Sequence, residues 1–592
     1  MTGNARARRG GSVRGWVWGS VLMLCLLLLA LGWLATRVAS AALGLSQVAE
    51  AVPTLSAAAQ VEDLAGLGGA LDGLRADTHA AADAVADPLW AVAETMPLIG
   101  GDFAAVAAVA RQTDAVVGEM VQVADAALSL AAPNEDALVD VSALAAAHAP
   151  IARAAAALVT AHGTLGDIDA AALLLPPVTR GVAALQDAVT AAEPVMTGLA
   201  DATAVLPGIL GADGPRTVLV VIQNNAELRS GGGITGSFAL LTADGGRVSL
   251  VDQADSSEFA HTAAPVADVP AGTTALYGDV VGRFVQNASM TTDFTLTATL
   301  ASRWWQDRGG AAPDAVLSID PLVVRALLAV TGPVTLPDGS SLAADNLVQR
   351  LLVDPYLTLD PAAQTVFLQS ATRALFQRLS AGGVDAMAWT RALAGPVAEG
   401  RVSLWSAHAQ EQAVLAETVL AGPAARHRAA GGDAFAVYFN DATGGKMGSF
   451  LHVDIATGAA VCRADGRAEV DVTLTMSSSA PGDAFPGLPL SMTGGGLWGT
   501  AWGDIGTNVS VAAPAGWFVG AVQKNEVAEP AVDAVDVGFP TVVAQVNLSP
   551  GEVNTLSFRF TAPEPGDASP TLLHTPMLNA PGVTTGAPVD CR

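Results

Sequence analysis

The chain is short of basic residues: lysine and arginine total 29 against 56 aspartates and glutamates, a formal net charge of -27 over 592 residues. Nothing basic and extended exists to neutralise phosphates, so nucleic acid is not an expected partner. Acidity keeps a protein soluble and repels polyanions, but it does not define a fold. Cysteine is scarce as well, with three in the chain. Cys25 lies in an apolar run and reads as an inert filler. Cys462 and Cys591 form an even pair that invites a disulfide if this part of the chain is exported. Two unpaired buried thiols are the competing reading, because sequence cannot test geometry.

The common catalytic signatures are also missing: there is no H-E-x-x-H, no C-x-x-C and no G-x-S-x-G. Gly444-Gly445-Lys446 has the ending of a phosphate-binding loop, but Met447 stands where Ser or Thr is required and Asn440 where the first glycine belongs. A P-loop is therefore rejected.

Apolar residues are plentiful at 51%, enough for sizeable cores in two to four domains. Gly15 to Thr36 is an uncharged, mostly apolar run, long enough as a helix to cross a hydrocarbon layer of roughly 30 Å. Arg6, Arg8, Arg9 and Arg14 precede it, and Arg37 alone follows closely. The positive-inside rule then makes residues 1–14 a cytoplasmic basic tail and 15–36 a single-pass transmembrane anchor, with the remainder extracytoplasmic. A cleaved signal peptide is the alternative, since Ala35 to Ala41 offers small residues. The length of the run favours the uncleaved anchor.

Residues 41–210 are alanine-rich with a helical period. Phe103, Val106, Val109, Val117, Met120, Ala124 and Leu128 are expected along one helix face. Breaks at Asp87-Pro88, Met96-Pro97, Pro133-Asn134 and Leu175-Pro176-Pro177 divide the stretch into several helices, a stalk or bundle acting as spacer or oligomerisation element. His79, His148 and His162 match no ligand spacing and read as polar-face residues. From 213 to 445, strand-like runs at 218–222, 238–242, 247–251, 314–319, 402–405 and 435–439 interleave with helical patterns. That interleaving predicts a three-layer α/β domain. Residues 450–592 alternate or are β-branched, with Gly, Pro and Asp between the runs, a β-sandwich pattern. The fold class expected is thus multi-domain α/β: N-terminal transmembrane helix, helical stalk or bundle, α/β domain and C-terminal sandwich.

One stretch stands apart. Val218 to Ile222 leads into Gln223, Asn224, Asn225, Glu227 and Arg229, then Gly231, Gly232 and Gly233. Arg229 beside bare glycine N–H groups would suit an anion such as phosphate, with Asn224, Asn225, Glu227, Gly232 and Gly233 around it. Asp252 and Asp293, with Glu227 or Asp255, would offer oxygen ligands to a hard cation such as Mg²⁺. The plainer reading is a tight turn whose polar side chains satisfy exposed backbone at a sheet edge.

The run QNNAELRSGGGITGSFALLTADGGRV resembles the signature of the family catalogued as domain of unknown function 4012, which typically reads close to NNAELRPTGGFIGSYALL on membrane-anchored exported proteins. Further matches are LIGGDF (98–103), TTDFTLTA (291–298), DAVLSIDPLVVRALLAVTGPV (314–334) and FNDATGGKMGSFL (439–451). Ser230 and Gly231 replace the usual Pro-Thr, and Thr295 replaces a proline. The resemblance implies a bacterial envelope protein and brings no activity with it. The order of anchor, strand, arginine loop, hairpin and D-A-V-L-S-I-D-P also looks like the LytR-CpsA-Psr cell-wall ligases. Those transfer lipid-pyrophosphate-linked glycopolymers, holding pyrophosphate with arginines and Mg²⁺ with carboxylates. Only Arg229 falls where such an arginine is expected; Val251-Asp252-Gln253 stands where an arginine–aspartate pair would follow. Two functions remain open: a protein that binds or scaffolds envelope components, and a transferase acting on polyprenyl-pyrophosphate-linked glycopolymers. Whether the chain is an enzyme is left undecided.

Overall fold

The computed structural model describes residues 23, 25–26, 28–46, 64–131, 137–168, 175–381, 386–458, 461–497, 499–588 and 591. Two compact units divide the chain, Met1–Ala132 with Ala143–Thr203, and Pro133–Ser142 with Ala204–Arg592.

The first unit is helical. Residues 15–22, 24 and 27 of the expected anchor lie outside the described residues, as does the break at Pro133-Asn134. The described apolar helix Leu28–Ser46 does not stop at Thr36; Leu34, Ala41 and Leu45 pack with Ala81, Ala84, Trp90 and Ala107. Helix Leu64–Val85 ends before Asp87, whose carboxylate accepts the Leu89 N–H at 2.9 Å and so caps helix Pro88–Glu94. Proline at the first helical position costs no intrahelical bond there. Helix Gly100–Leu130 buries Ala105, Ala107, Ala110, Thr113, Val117 and Ala124 most deeply, whereas Leu128 is exposed. Of the expected stripe, Val117 and Ala124 are buried, while Phe103, Val106, Val109 and Met120 are half-buried. Helices Val141–Gly166 and Pro176–Ile209 bring Ile151, Leu158, Leu165, Val189 and Met196 into another core. Like Leu28–Ser46, Val141–Gly166 is long and apolar enough to cross a membrane. His148 bonds Thr203 at 3.2 Å and His162 pairs with Glu193 at 2.7 Å, as polar-face residues do.

The second unit opens on β1 (Arg216–Asn224), β2 (Ile234–Asp244), β3 (Arg247–Asp255) and β4 (Ala315–Ile319). A small hairpin of β5 (Val334–Thr335) and β6 (Ser341–Leu342) precedes β7 (Ser403–Ser406). The first sheet runs β3-β2-β1-β4-β7, with β1 and β4 parallel and its other pairs antiparallel. Gly245 and Gly246, at φ 54° and 80°, make the tight β2–β3 turn that only glycine adopts easily. Alternate β1 side chains serve opposite faces. Leu219 and Val221 pack with Phe294, Ala298, Trp304 and Trp305 of helix Phe294–Asp307. Val218 and Val220 pack on the other side with Val205, Ile209 and Leu415. Helices on both faces make three layers, as expected.

The remaining strands are β8 (Ala434–Asp441), β9 (Leu451–Thr457), β10 (Val461–Cys462), β11 (Arg467–Ser478), β12 (Ile505–Ala512) and β13 (Phe518–Lys524). After them come β14 (Val527–Ala528), β15 (Val532–Asp536), β16 (Phe539–Leu548), β17 (Val553–Pro565), β18 (Thr571–His574) and β19 (Gly582–Thr584). One sheet reads β14-β13-β17-β11-β9-β19 with β10 on β11, the other β15-β16-β12-β8-β18. Phe435, Val437, Val472, Leu474, Val509, Val542, Phe558 and Phe560 fill the core between them. β8 falls within the stretch read as α/β, yet it pairs with β12 and β18 in the sandwich. It is buried on both faces, and a continuous apolar run carries no period that says which sheet it joins. The outer face of this sheet is covered by helix Ala271–Tyr277, whose Thr273 hydroxyl donates to Asp536 at 2.7 Å.

Cys462 and Cys591 are joined by a disulfide, their Cα atoms 5.3 Å apart and 129 positions apart in sequence. A bond closing so long a loop restricts the unfolded chain strongly. We expect Cys591→Ser to lower stability by about 2–4 kcal/mol, read as a lower denaturation midpoint that reductant reproduces in the native chain.

Candidate functional site

β1 carries the polar run to the centre of the second unit. Its ladder with β2 shifts register between Ile222 and Gln223, where the strand leaves regular pairing. The Asn224 side-chain oxygen then accepts the Ala226 N–H at 3.0 Å, a turn closed by asparagine. The glycine N–H groups are already engaged: Gly231 donates to Ser289 O at 3.0 Å and Gly232 to Arg229 O at 2.7 Å. Gly233 donates to Gln223 Oε1 at 3.1 Å. A Cβ on Gly233 would meet the Asn224 carbonyl carbon at 2.4 Å, so glycine is needed for the chain to cross itself. A cradle of free backbone donors is therefore not what these glycines build.

Glu227 lies at the middle, 4% exposed, between two cations. Arg229 Nη2 approaches its Oε1 at 3.2 Å, and Lys446 Nζ bonds its Oε2. Arg229, itself 6% exposed, also donates to Asn287 Oδ1 at 3.0 Å, Leu228 O at 2.8 Å and Asp441 O at 3.2 Å. Four bonds through its two terminal nitrogens hold the guanidinium in place. Arg229 Nε and Asn225 Oδ1 are buried without a protein partner. The segment following β8 wraps the same loop. Asn440 and Ser230 exchange two hydrogen bonds at 3.0 and 3.1 Å, Asp441 N donates to Leu228 O at 2.8 Å, and Gly448 N donates to Ala226 O at 2.7 Å. Behind it, Asn225 Nδ2 donates to Asp320 Oδ2 at 2.9 Å, and Arg401 Nη1 donates to the same oxygen at 2.7 Å. The other Asp320 oxygen caps helix Pro321–Thr331 through Leu322 and Val323. Two loops from distant parts of the chain thus form one buried clasp.

Residues 213–356 match the family model described as protein of unknown function (DUF4012). This is a DUF4012 region. No curated protein matches the chain. The DUF4012 region contains one half of the clasp, from Gln223 to Gly233, together with Asp320. It ends at Tyr356, whose hydroxyl accepts from Asn224 Nδ2 at 2.9 Å. The other half, Asn440 to Gly448, lies beyond the matched residues.

The expected residues are therefore gathered in part. Asn224, Asn225, Glu227, Arg229, Gly232 and Gly233 are contiguous in space, but as a knot bonded mostly within itself, with Arg229 Nε and Asn225 Oδ1 left over. Asp252 and Asp293 have other employment. Asp252 pairs with Arg308 at 2.8 Å, and Asp293 accepts the Thr295 N–H at 2.8 Å to cap helix Phe294–Asp307. Among the described residues no three His, Cys, Asp or Glu side chains gather as a metal-binding group. Sequence reading missed Asp441, Asp320, Arg401 and Tyr356, and set Lys446 aside as a failed phosphate-loop lysine. The run FNDATGGKMGSFL held the clue to two of them, since it carries Asp441 and Lys446 together.

Three groups in the clasp titrate abnormally. Burial, reinforced by the Glu227 charge and offset in part by Arg229, pushes the Asp441 carboxyl up to about 6. Burial pulls the Lys446 ammonium down, but attraction to Glu227 and Tyr356 outweighs it and the net shift is upward. Burial raises the Tyr356 phenol. Lys446 stays charged, so the ion pair with Glu227 is the working state.

Removing Glu227 would leave two buried cations facing each other. We expect Glu227→Ala to cost about 3–5 kcal/mol in guanidinium unfolding. Lys446→Met should cost less, because Arg229 still bridges the carboxylate. For Asp441 the folded value of about 6 lies above the model-peptide 3.8. Its protonation therefore favours folding, a contribution fully present below 3.8 and lost as pH rises through about 6. Asp441→Asn should be at least as stable as the native chain at pH 7, and the decline in thermal midpoint across that window should flatten.

Proposed function

We propose that this is an envelope protein held in the cell membrane by its N-terminal apolar helix, with the bulk of the chain extracytoplasmic. There it binds or scaffolds envelope components. The Cys462–Cys591 disulfide carries the reading, because such bonds persist in oxidising compartments outside the cytoplasm. The arginines ahead of the apolar run support a cytoplasmic N-terminus. The clasp fits a scaffold: its charges and backbone groups bond one another, which makes a rigid body and leaves Arg229 engaged. For that reason the proposal does not extend to a transferase acting on polyprenyl-pyrophosphate-linked glycopolymers, whose one carried-over residue is Arg229.

Topology tests this directly. Full-length chains bearing a phosphatase reporter, active only outside the cytoplasm, are expressed in a bacterial host. We expect activity from a C-terminal fusion and none from an N-terminal one, with the full-length chain kept in the membrane fraction after alkaline extraction. A silent C-terminal reporter, or free thiols at Cys462 and Cys591 on alkylation of intact cells, would falsify the assignment.

A further inference from the structure

Beside the clasp lies an open cleft of about 260 Å³. It forms where the parallel strands β1 and β4 end, at Gln223 and Asn224 and at the start of helix Pro321–Thr331. In open α/β sheets the carboxyl ends of neighbouring parallel strands are where ligands bind. Helix Pro361–Leu379 lines it with Leu368, Ala371 and Leu375 and, between them, Gln364, Thr365 and Thr372. Gln223, Asn224, Tyr356, Asp255 and Lys446 also line it.

The polar wall has a definite chemistry. The Asn224 amide is held by Ala226 N and by the Tyr356 hydroxyl, and the Gln223 carbonyl by Gly233 N. These groups are oriented before any ligand arrives, so little freedom is lost on binding. Lys446 still has ammonium hydrogens beyond the one given to Glu227, a carboxylate it shares with Arg229. Asp255 adds a carboxylate to the same lining. A phosphate at neutral pH is an anion, and the Asp255 carboxylate repels it. A hydroxyl both donates and accepts, which matches a wall of mixed donors and acceptors.

We propose that this cleft binds an uncharged saccharide, one sugar ring resting its C–H face on the half-buried Leu368 and turning its hydroxyls to Asn224, Tyr356, Asp255 and Lys446. The proposal deepens the envelope reading, naming a neutral glycan as the component bound, and rests on it. Thr372 lies on the cleft wall, outside the clasp. Thr372→Trp would fill the space while leaving the clasp bonds intact.

The test uses the full-length protein in detergent, titrated calorimetrically with maltotriose and with the trimer of N-acetylglucosamine, and separately with inorganic pyrophosphate. We expect millimolar or tighter binding of at least one saccharide, weakened roughly tenfold or more by Thr372→Trp with an unchanged thermal midpoint. Asp255→Asn should weaken the saccharide, because the charged acceptor for its hydroxyls is lost. Should neither saccharide bind, should Thr372→Trp leave affinity untouched, or should pyrophosphate compete for the cleft, the proposal is wrong. The reporter fusions above fail or succeed independently of these titrations, so the two readings are separable.

Discussion

The second unit depends on how Glu227 is buried. A carboxylate taken out of water is costly unless cations and hydrogen bonds replace its hydration. Here Arg229 comes from the same loop and Lys446 from a segment more than two hundred residues later. Without Glu227 the two buried cations would face each other uncompensated. The α/β sheet and the sandwich are therefore fastened at one point by electrostatics, in addition to the apolar contacts that Leu228 makes within the sandwich core. Attraction alone does not set the geometry. The Asn440–Ser230 exchange and the backbone bonds of Asp441 and Gly448 hold the loops in register.

This arrangement gives a physical meaning to the conspicuous residues of the signature. Glycine is required at 233 because the chain passes within contact of Asn224. Asn225 and Arg401 share one oxygen of Asp320, whose other oxygen starts a helix, so the helix and both loops are positioned together. Ser230, standing where a proline is usual in the resembling family, supplies the N–H and hydroxyl that Asn440 needs. The cleft inherits its rigidity from this knot, since Asn224 and Lys446 belong to both.

Much of the architecture was legible in the residues. The alanine-rich helical period, the strand-like runs at 218–222 and 238–242 and the β-branched runs after residue 450 each express local chemistry that neighbours in sequence determine. β8 was legible as a strand but not by its sheet, because an apolar run has no polar side to show which sheet it joins. The site was half legible. Polar residues beside glycines marked the place, but free and satisfied donors look the same in sequence. The glycine N–H groups and Arg229 were read as open to an anion and are bonded within the protein. Asp252 and Asp293 were read as ligands; one pairs with an arginine and the other caps a helix.

By itself the sequence determined the apolar helix, the helical stretch, the order of strands and helices, the resemblance to the DUF4012 family, and the two cysteines available to one another. The helices and strands follow from composition and short-range periodicity, and the resemblance from the signature run at 223–248. Only the tertiary structure decided that Glu227 meets Lys446, that β8 belongs to the sandwich, and that a cleft opens beside Tyr356. Each is a contact between residues far apart in the chain, and burial and charge compensation act through space rather than along it.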